Sequence, residues 1–243
     1  MVSATAYTTW LRCPEQARGR LAGEYPDDTK QSFKGALAHR IFARHLTSGP
    51  VAPEDLAQSC REEIGRALNP KLMSLGLNKP SQLGAVVREV GDLYERFKRF
   101  SIDGFEGAEV SLHVEAAAGV TLRGVVDAVF RSDGGVRLVD WKTGFLGSAE
   151  PQLDFYAMLW WLERGDLPTS VEAASVATGE RFQRSPTLGD IEQTAARVAD
   201  LVSDVRQALA TYGSLSTTGG PWCRYCPLLS GCDEGSAAVR VVG

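Results

Sequence analysis

The chain has 243 residues, of which 44% are hydrophobic and 23% charged, and its formal net charge is −4. This composition allows a sizeable core and excludes fibrous, mucin-like and wholly disordered classes of protein. No run approaches the roughly 20 apolar residues of a membrane span, and no basic flank with an apolar run opens the chain, so we expect a cytoplasmic protein without membrane contact.

The predicted elements give a helical first part and a mixed second part. The helices, of which the fourth has Ser81 as its N-cap, are predicted near residues 4–22, 34–47, 53–68, 81–100, 151–164 and 188–211. The strands are predicted where the hydrophobic period changes to two, near residues 108–115, 121–132, 136–142, 170–178 and 180–185. A loop follows at 213–220. We therefore expect an α/β fold with a central mixed sheet flanked by helices.

A β-hairpin with two opposed carboxylates is the most informative segment. Asp133-Gly134 lies between two apolar runs, and this dipeptide favours a two-residue turn with positive φ at both positions. The turn pairs residue 132 with 135, and the same register places Asp127 directly opposite Asp140, with Cβ atoms roughly 4.5–5.5 Å apart. Lys142 then projects from the same face of the sheet.

Opposed carboxylates in an apolar hairpin repel one another unless a cation lies between them. A divalent ion that prefers oxygen ligands, Mg²⁺ or Mn²⁺, would supply that charge and could activate water for attack on a phosphate ester. Lys142 would position that water or stabilise the pentacovalent transition state. The alternative is that Asp127 and Asp140 are edge residues with Lys142 as a surface salt-bridge partner, and a loop that includes Gly135 would shift the register.

These residues resemble the motifs of the PD-(D/E)xK nuclease superfamily, in its RecB-like branch. Gly124 to Asp127 resembles the Gly-x-x-Asp motif, and Asp140 to Lys142 resembles Asp-x-Lys. Two further matches, in the expected order, are Gly-x-x-x-His at 35–39 and Gln-x-x-x-Tyr at 152–156. The resemblance implies a restriction-endonuclease-like core. It also implies metal ligands at His39, Asp127, Asp140 and the Trp141 carbonyl, catalytic roles for Asp127, Asp140, Lys142, Gln152 and Tyr156, and an acidic residue near the metal at Glu109.

Some of these residues have a simpler interpretation. A lone histidine on an amphipathic helix, such as His39, is more often packed or exposed than a metal ligand. Gln152 and Tyr156 are four residues apart and share one helix face, where they either pack with Trp160, contact DNA or hold the Lys142 strand.

The five cysteines divide into one and four. Cys60 shares a helix face with Leu56 and Ile64, which fits a buried free thiol. The other four form a one-plus-three set that binds either zinc or an iron-sulfur cluster, unless its thiols are unligated. Within RecB-like nucleases the set resembles the iron-sulfur subgroup, which includes CRISPR-associated Cas-four type exonucleases and AddB-like nuclease domains. That resemblance implies a structural [4Fe-4S] cluster on Cys13, Cys223, Cys226 and Cys232.

Basic residues are in excess over acidic ones between positions 12 and 44. With the aromatic residues Tyr7, Trp10 and Phe33 nearby, this stretch either tracks a phosphate backbone or is a solvated helix face.

The sequence predicts a single nuclease domain over residues 1–243. It comprises a mainly helical part at 1–104, a nuclease core at 105–212 and a cysteine segment at 213–243 that closes the cluster with Cys13. The predicted function is metal-dependent hydrolysis of DNA, as a single-strand exonuclease in repair, recombination or CRISPR adaptation, with a helicase or CRISPR adaptation proteins as partners. The alternative is a non-catalytic DNA-binding component of a larger complex, stabilised by iron-sulfur or zinc.

Overall fold

The computed structural model describes residues 1–242, and helices dominate before residue 104. The short strand β1 (Val2–Ser3) opens the chain. Six helices follow, α1 (Ala4–Arg12), α2 (Pro14–Leu21), α3 (Lys30–Ser48), α4 (Leu56–Glu63), α5 (Lys71–Ser74) and α6 (Pro80–Phe97). The predicted helix over 4–22 is thus interrupted, because Pro14 forces the preceding residue out of the helical region and Cys13 is extended, with φ −156° and ψ 101°.

Two other helix predictions need correction. The helix predicted over 53–68 is α4 followed by a π-helical turn at Ile64–Leu68, and it buries Cys60 completely, as expected for a packed thiol. Ser81 does not cap α6, because Pro80 occupies the first turn and Lys79 is the N-cap residue. Proline fits that position, since it lacks only an N–H that the helix would leave unpaired.

The second part alternates strands and helices. Its elements are β2 (Phe105–Ala117), β3 (Val120–Ser132), β4 (Gly135–Lys142), α7 (Glu150–Arg164), β5 (Ser170–Ser175), β6 (Arg181–Arg184), α8 (Leu188–Thr211) and α9 (Asp233–Val242). Two short 3-10 helices lie at Pro221–Tyr225 and Leu229–Gly231; the first contains Cys223, and Cys226 and Cys232 directly follow the first and the second. The mixed sheet and its flanking helices confirm the predicted α/β class.

The sheet order places β3 at a junction of three strands. The strands run β1-β3-β4-β5-β6, and β2 pairs with the other edge of β3. Because β2 fills that edge, β1 and β4 share the opposite one, where β1 pairs with residues 122–123 and β4 with residues 128–132. Asp127 lies in the gap between these two pairings.

The hairpin register agrees with the prediction, although the turn differs. The β3–β4 ladder runs from Ser132 opposite Gly135 to Ala128 opposite Val139. Neither Asp133 nor Gly134 has positive φ, which instead occurs at Gly135, with φ +108°. The expected backbone angles at the turn are therefore wrong, while the pairing that they were used to derive is right.

Helices cover both faces of the sheet and enclose two core clusters. Residues from α1, α7 and α8 pack on one face, and residues from α3, α4 and α6 pack on the other. On the α3 side the rings of Phe42 and Phe97 stack with centroids 4.2 Å apart, and Phe97 meets Trp141 edge-on at 5.2 Å. This packing fixes the end of β4, since Trp141 lies between Asp140 and Lys142. Across residues 1–242, no helix has the length and apolar character to cross a bilayer.

An ion network joins α7, β6 and α8 on the α7 side. Arg184 lies 2.9 Å from Glu150, 3.0 Å from Asp154 and 2.7 Å from Asp190. Burial raises the pKa of Asp154 to about 6; Arg184 opposes this effect, and Glu150 and Asp190 add to it. For Asp190 the hydrogen bonds from Thr187 and Arg184 lower the pKa.

Replacement of Asp154 should change how stability depends on pH. The folded protein holds the Asp154 proton to about pH 6, whereas an unfolded Asp releases it near pH 3.8, so the free energy of unfolding falls as pH rises between these values. In Asp154→Asn this fall should shrink by on the order of 2 kcal/mol, measured by urea unfolding at pH 4 and pH 7. Asp190→Asn should shift the pH dependence in the opposite direction. An unchanged pH dependence in Asp154→Asn would show that this carboxyl titrates normally.

Candidate active site

Three side chains from three different elements could hold a metal ion together. His39 of α3, Glu109 of β2 and Asp127 of β3 each offer a ligand atom, and these atoms all lie within 4.8 Å of one another. The imidazole Nδ1 of His39 lies 3.1 Å from Oδ1 of Asp127. One imidazole and two carboxylates form a donor set that suits a divalent cation such as Mn²⁺ or Mg²⁺.

An irregularity in both strands brings Glu109 and Asp127 together. The register on either side pairs Ala108 with Ala128 and Val110 with Val126, so Glu109 and Asp127 occupy the same rung. Glu109 has φ +51°, which is uncommon for a residue other than glycine. Ala128 belongs to the core on the α3 side but Val126 to the core on the α7 side, so the alternation of side chains in β3 changes phase at Asp127. The carboxylates thus occupy a rung at which the regular pleating of β2 and β3 is interrupted.

Asp127 also closes the gap between β3 and β4. Its Oδ2 accepts a hydrogen bond of 2.7 Å from the backbone N–H of Trp141, just beyond the last ladder pair. A buried N–H without a partner would be costly, and here the carboxylate replaces the missing strand carbonyl. The position of Asp127 is therefore fixed by the backbone of β4 and by His39.

A second polar cluster lies beside the first. The ammonium group of Lys142 is 2.7 Å from Oδ2 of Asp140 and donates at 2.6 Å to the side-chain carbonyl of Gln152. The Gln152 amide group donates to Oδ1 of Asp140 at 2.8 Å and to the Tyr156 hydroxyl at 2.9 Å. Of the three roles open to Gln152 and Tyr156 in the sequence, this geometry agrees with the one that holds the Lys142 strand.

The charges of the two clusters influence one another. Burial raises the pKa of Asp140, the nearby charge of Asp127 raises it further, and Lys142 opposes both effects. Burial alone would lower the pKa of His39, but Asp127, with Asp140 and Glu109, outweighs it and raises the pKa to about 9. The pKa of Glu109 is raised by burial and by Asp127, against His39 and Arg40. A divalent cation fits such a site, because it would relieve the repulsion that now favours protonation.

The two aspartates do not share one face of the sheet in the simple way that the hairpin predicts. Asp127 bonds to His39 on α3, whereas Asp140 bonds to Gln152 on α7, and these helices lie on opposite faces. The change of phase at Asp127 explains the difference, because the prediction assumed regular alternation of side chains from Ser132 back to Asp127. The two carboxylates nevertheless remain close enough for Asp127 to raise the pKa of Asp140.

Two glycines of the recognised motifs allow helices to approach the site closely. A Cβ atom at Gly124 would lie 2.8 Å from Leu159 and 3.1 Å from the ring of Tyr156, both on α7. A Cβ atom at Gly35 of α3 would lie 3.2 Å from the hydroxyl of Thr143, just after β4. The glycines therefore set the distance from each helix to the strands that carry the aspartates.

The remaining predicted residues lie elsewhere. Four cysteines, Cys13, Cys223, Cys226 and Cys232, line one small cavity of about 30 Å³. The backbone N–H of Gly235 donates to the Cys232 sulfur at 3.3 Å, so the end of the chain is tied to this cavity.

The aromatic residues expected to interleave with basic ones are not a DNA-facing surface. Tyr7 and Phe33 are each only 1% exposed, and Trp10 packs against the core. Burial of these rings rules out base stacking on them, and the alternative of a solvated helix face stays a prediction for the basic residues of this stretch.

Comparisons with known proteins place the chain in a family and give a similar fold. A family model described as "PD-(D/E)XK nuclease superfamily" matches residues 1–233. A crystal structure named "Putative exonuclease", from Eubacterium rectale, is 13% identical with a TM-score of 0.58, over 94% of this chain and 86% of that one. A structure of SSO0001 is 17% identical over 81% of this chain and 94% of that one, with a TM-score of only 0.38. No curated protein matches the chain significantly.

Gly124→Ala should displace Tyr156 from β3, because the added methyl group would clash with its ring and with Leu159. We expect a loss of about 1–3 kcal/mol in the free energy of unfolding, from overpacking of a filled core. Urea denaturation measures this loss. Gly84→Ala on α6 is the control, since its Cβ would meet only Arg88 at 3.8 Å, and it should be neutral or stabilising. Equal stability of the two variants would contradict the packing role of Gly124.

Proposed function

The chain belongs to the PD-(D/E)XK nuclease superfamily, and we propose that it is a metal-dependent deoxyribonuclease that degrades single-stranded DNA from its ends. The observation that carries the proposal is the meeting of His39, Glu109 and Asp127 beside the Asp140–Lys142 pair. Cation ligands and a fixed ammonium group at one opening are what hydrolysis of a phosphodiester requires. The name of the structural neighbour from Eubacterium rectale gives further support for an exonuclease.

The chain's residues would hold the cation and the lysine in place. His39, Asp127 and Asp140 would be ligands, with the Trp141 carbonyl completing the set as the sequence predicts. Glu109, from its place in the cluster, would be a ligand too. When bound, the ion would supply positive charge for the phosphate and lower the pKa of a bound water.

Lys142 would act on the reacting atoms. Its ammonium group is anchored by Asp140 and Gln152, and it would orient the attacking water or stabilise the negative charge that develops on phosphate oxygens. Tyr156 braces Gln152 through the hydroxyl contact, so this pair would act by positioning Lys142 rather than by contact with DNA. A lysine held on two sides needs little reorganisation during the reaction.

We also propose that the four cysteines of the small cavity hold a [4Fe-4S] cluster. Cys13 precedes α2, and the other three belong to the final segment, so ligation would tie the two ends of the chain into one domain. Burial lowers the pKa of Arg12, and the nearby Cys13, Cys223 and Cys226 oppose this effect, so its positive charge would offset that of the thiolates. Zinc on the same thiols is the rival.

The pathway follows from the family resemblance and not from a contact in the structure. A nuclease without a phosphate-binding loop for a motor would act on strands that another protein unwinds, which fits a helicase or CRISPR adaptation proteins as partners. We accordingly place the protein in the cytoplasm, in repair, recombination or CRISPR adaptation.

Lys142→Ala should abolish nuclease activity while DNA binding persists. Loss of a preorganised charge at the reacting phosphate costs about 10²–10³ in rate, measured as release of labelled nucleotides from linear single-stranded DNA with Mn²⁺. Lys79→Ala, at an exposed lysine, is the matched control and should keep full activity. If the wild-type protein binds DNA but releases nothing with Mn²⁺ or Mg²⁺, the proposed function fails. A circular single strand should resist the enzyme, and cutting of the circle would contradict degradation from ends.

Anaerobically purified protein should be brown and contain about four iron and four sulfide per chain. Cys226→Ala should lose the colour and the iron, whereas Cys60→Ala should keep both, because Cys60 is completely buried in the helical part. Iron, sulfide and zinc analysis of the three proteins measures this. A colourless sample that holds one zinc per chain would replace the cluster with a zinc site.

A further inference from the structure

A cavity lined by arginines opens beside the carboxylate cluster. It has a volume of about 340 Å³, and its lining includes Arg40 and Arg44 of α3, Arg66 of the π-helical turn, and Glu109. We call it the arginine cavity. Glu109 thus faces both the arginine cavity and the cluster that it forms with His39 and Asp127.

The cavity has a built acidic floor. Glu63 is only 5% exposed, and its carboxylate accepts a hydrogen bond of 2.8 Å from Arg66. Arg40 and Arg44 lie 3.7 Å and 3.8 Å from the same carboxylate, beyond ordinary hydrogen-bond length. The buried charge holds three guanidinium groups around one opening, although a single one would be enough to pair with it.

The three arginines differ in how closely they are paired. Arg44 donates at 2.6 Å to Glu62 and Arg66 donates at 2.8 Å to Glu63, so each of these two has a close carboxylate partner. Arg40 has no hydrogen-bond partner among the described residues, and it lines the cavity together with Glu109. Its donors are therefore available at the boundary between the cavity and the carboxylate cluster. The side chains of Thr47 and Ser48 add hydroxyl groups to the lining.

We infer that the arginine cavity binds a phosphate group of the DNA substrate. This phosphate lies on the same strand as the phosphate that is cleaved and is adjacent to it. A guanidinium fork matches the geometry of phosphate oxygens, and Arg40, Arg44 and Arg66 supply donors from three directions. The inference rests on the proposed function, since the strand must enter the carboxylate cluster to reach both places. It assigns Arg40 the contact nearest the metal ligands, and Arg66 the contact furthest along the strand.

Binding of a single-stranded oligonucleotide with Ca²⁺ in place of Mn²⁺ tests the inference without cleavage. Arg40→Ala and Arg66→Ala should each weaken binding about tenfold and reduce the slope of log Kd against log salt by about 0.7. Arg61→Ala, an exposed arginine on α4 outside the cavity lining, is the matched control and should bind as wild type does. If the cavity variants bind like Arg61→Ala, the inference is overturned.

The arginines could serve only to neutralise Glu63, and a second substitution separates the two roles. In Arg40→Ala/Glu63→Gln the buried charge is gone, so binding recovers if neutralisation was the whole role and stays weak if Arg40 contacts phosphate. Thermal unfolding of each variant identifies any loss of fold. Recovery of wild-type affinity in the double variant would contradict a contact between Arg40 and phosphate.

Neutral methylphosphonates, placed one at a time along the oligonucleotide, locate the contact. One position should weaken wild-type binding but have no further effect in Arg40→Ala, because the partner charge is already missing. Effects that simply add at every position would contradict a direct contact. An oligonucleotide with a 5′-phosphate, compared with a 5′-hydroxyl, shows whether a terminal or an internal phosphate fills the cavity. If wild type cuts DNA but the arginine variants bind normally, only this inference fails; if wild type cuts no DNA, the proposed function fails first.

Discussion

Carboxylates that repel one another meet at one rung of the sheet, and the elements around them are arranged to hold them there. Glu109, Asp127 and Asp140 come from three adjacent strands. Asp127 raises the pKa of both other carboxyl groups, and all three raise the pKa of His39. Such a cluster is destabilising by itself, and it persists here because separate contacts hold Asp127 and Asp140 in place. Backbone N–H, imidazole, amide and ammonium groups all take part. The arrangement keeps a place for a cation at a cost in stability that the two cores offset.

Both helical layers serve that rung. From one face α3 delivers His39, and from the other α7 delivers Gln152, which joins Asp140 to Lys142. Glycines in β3 and α3 make these approaches possible, since an added Cβ at Gly124 or Gly35 would meet the partner within 3.2 Å. The site therefore depends on packing on both faces. A small displacement of α3 or α7 would move the side chains that hold Asp127, Asp140 and Lys142.

The sequence predicted the strands and the pairing better than the details of the site. The Asp-Gly pair gave the correct hairpin register, and Pro14 carried a readable signal for the break at Cys13 that the helical period concealed. For Glu109 the sequence predicted only an acidic residue near the metal, because no neighbouring residue indicates the left-handed backbone conformation that it adopts. The change of phase is visible in the sequence. The residues on both sides of Asp127 are apolar, whereas strict alternation would place a polar residue at every second position; they are Val125, Val126, Ala128 and Val129. Contacts across the sheet, such as Gln152 with Lys142, depend on tertiary packing that periodicity cannot give.

In the proposed site, one divalent ion is shared by residues from both sides of the gap between β3 and β4. A crystal soaked in Mn²⁺, with anomalous scattering measured at the manganese edge, locates the ion directly. We expect a peak within coordinating distance of the His39 ring and of carboxylate oxygens of both Asp127 and Asp140, with Lys142 beside it. A peak that touches only one aspartate, or that lies away from all of these residues, would contradict it.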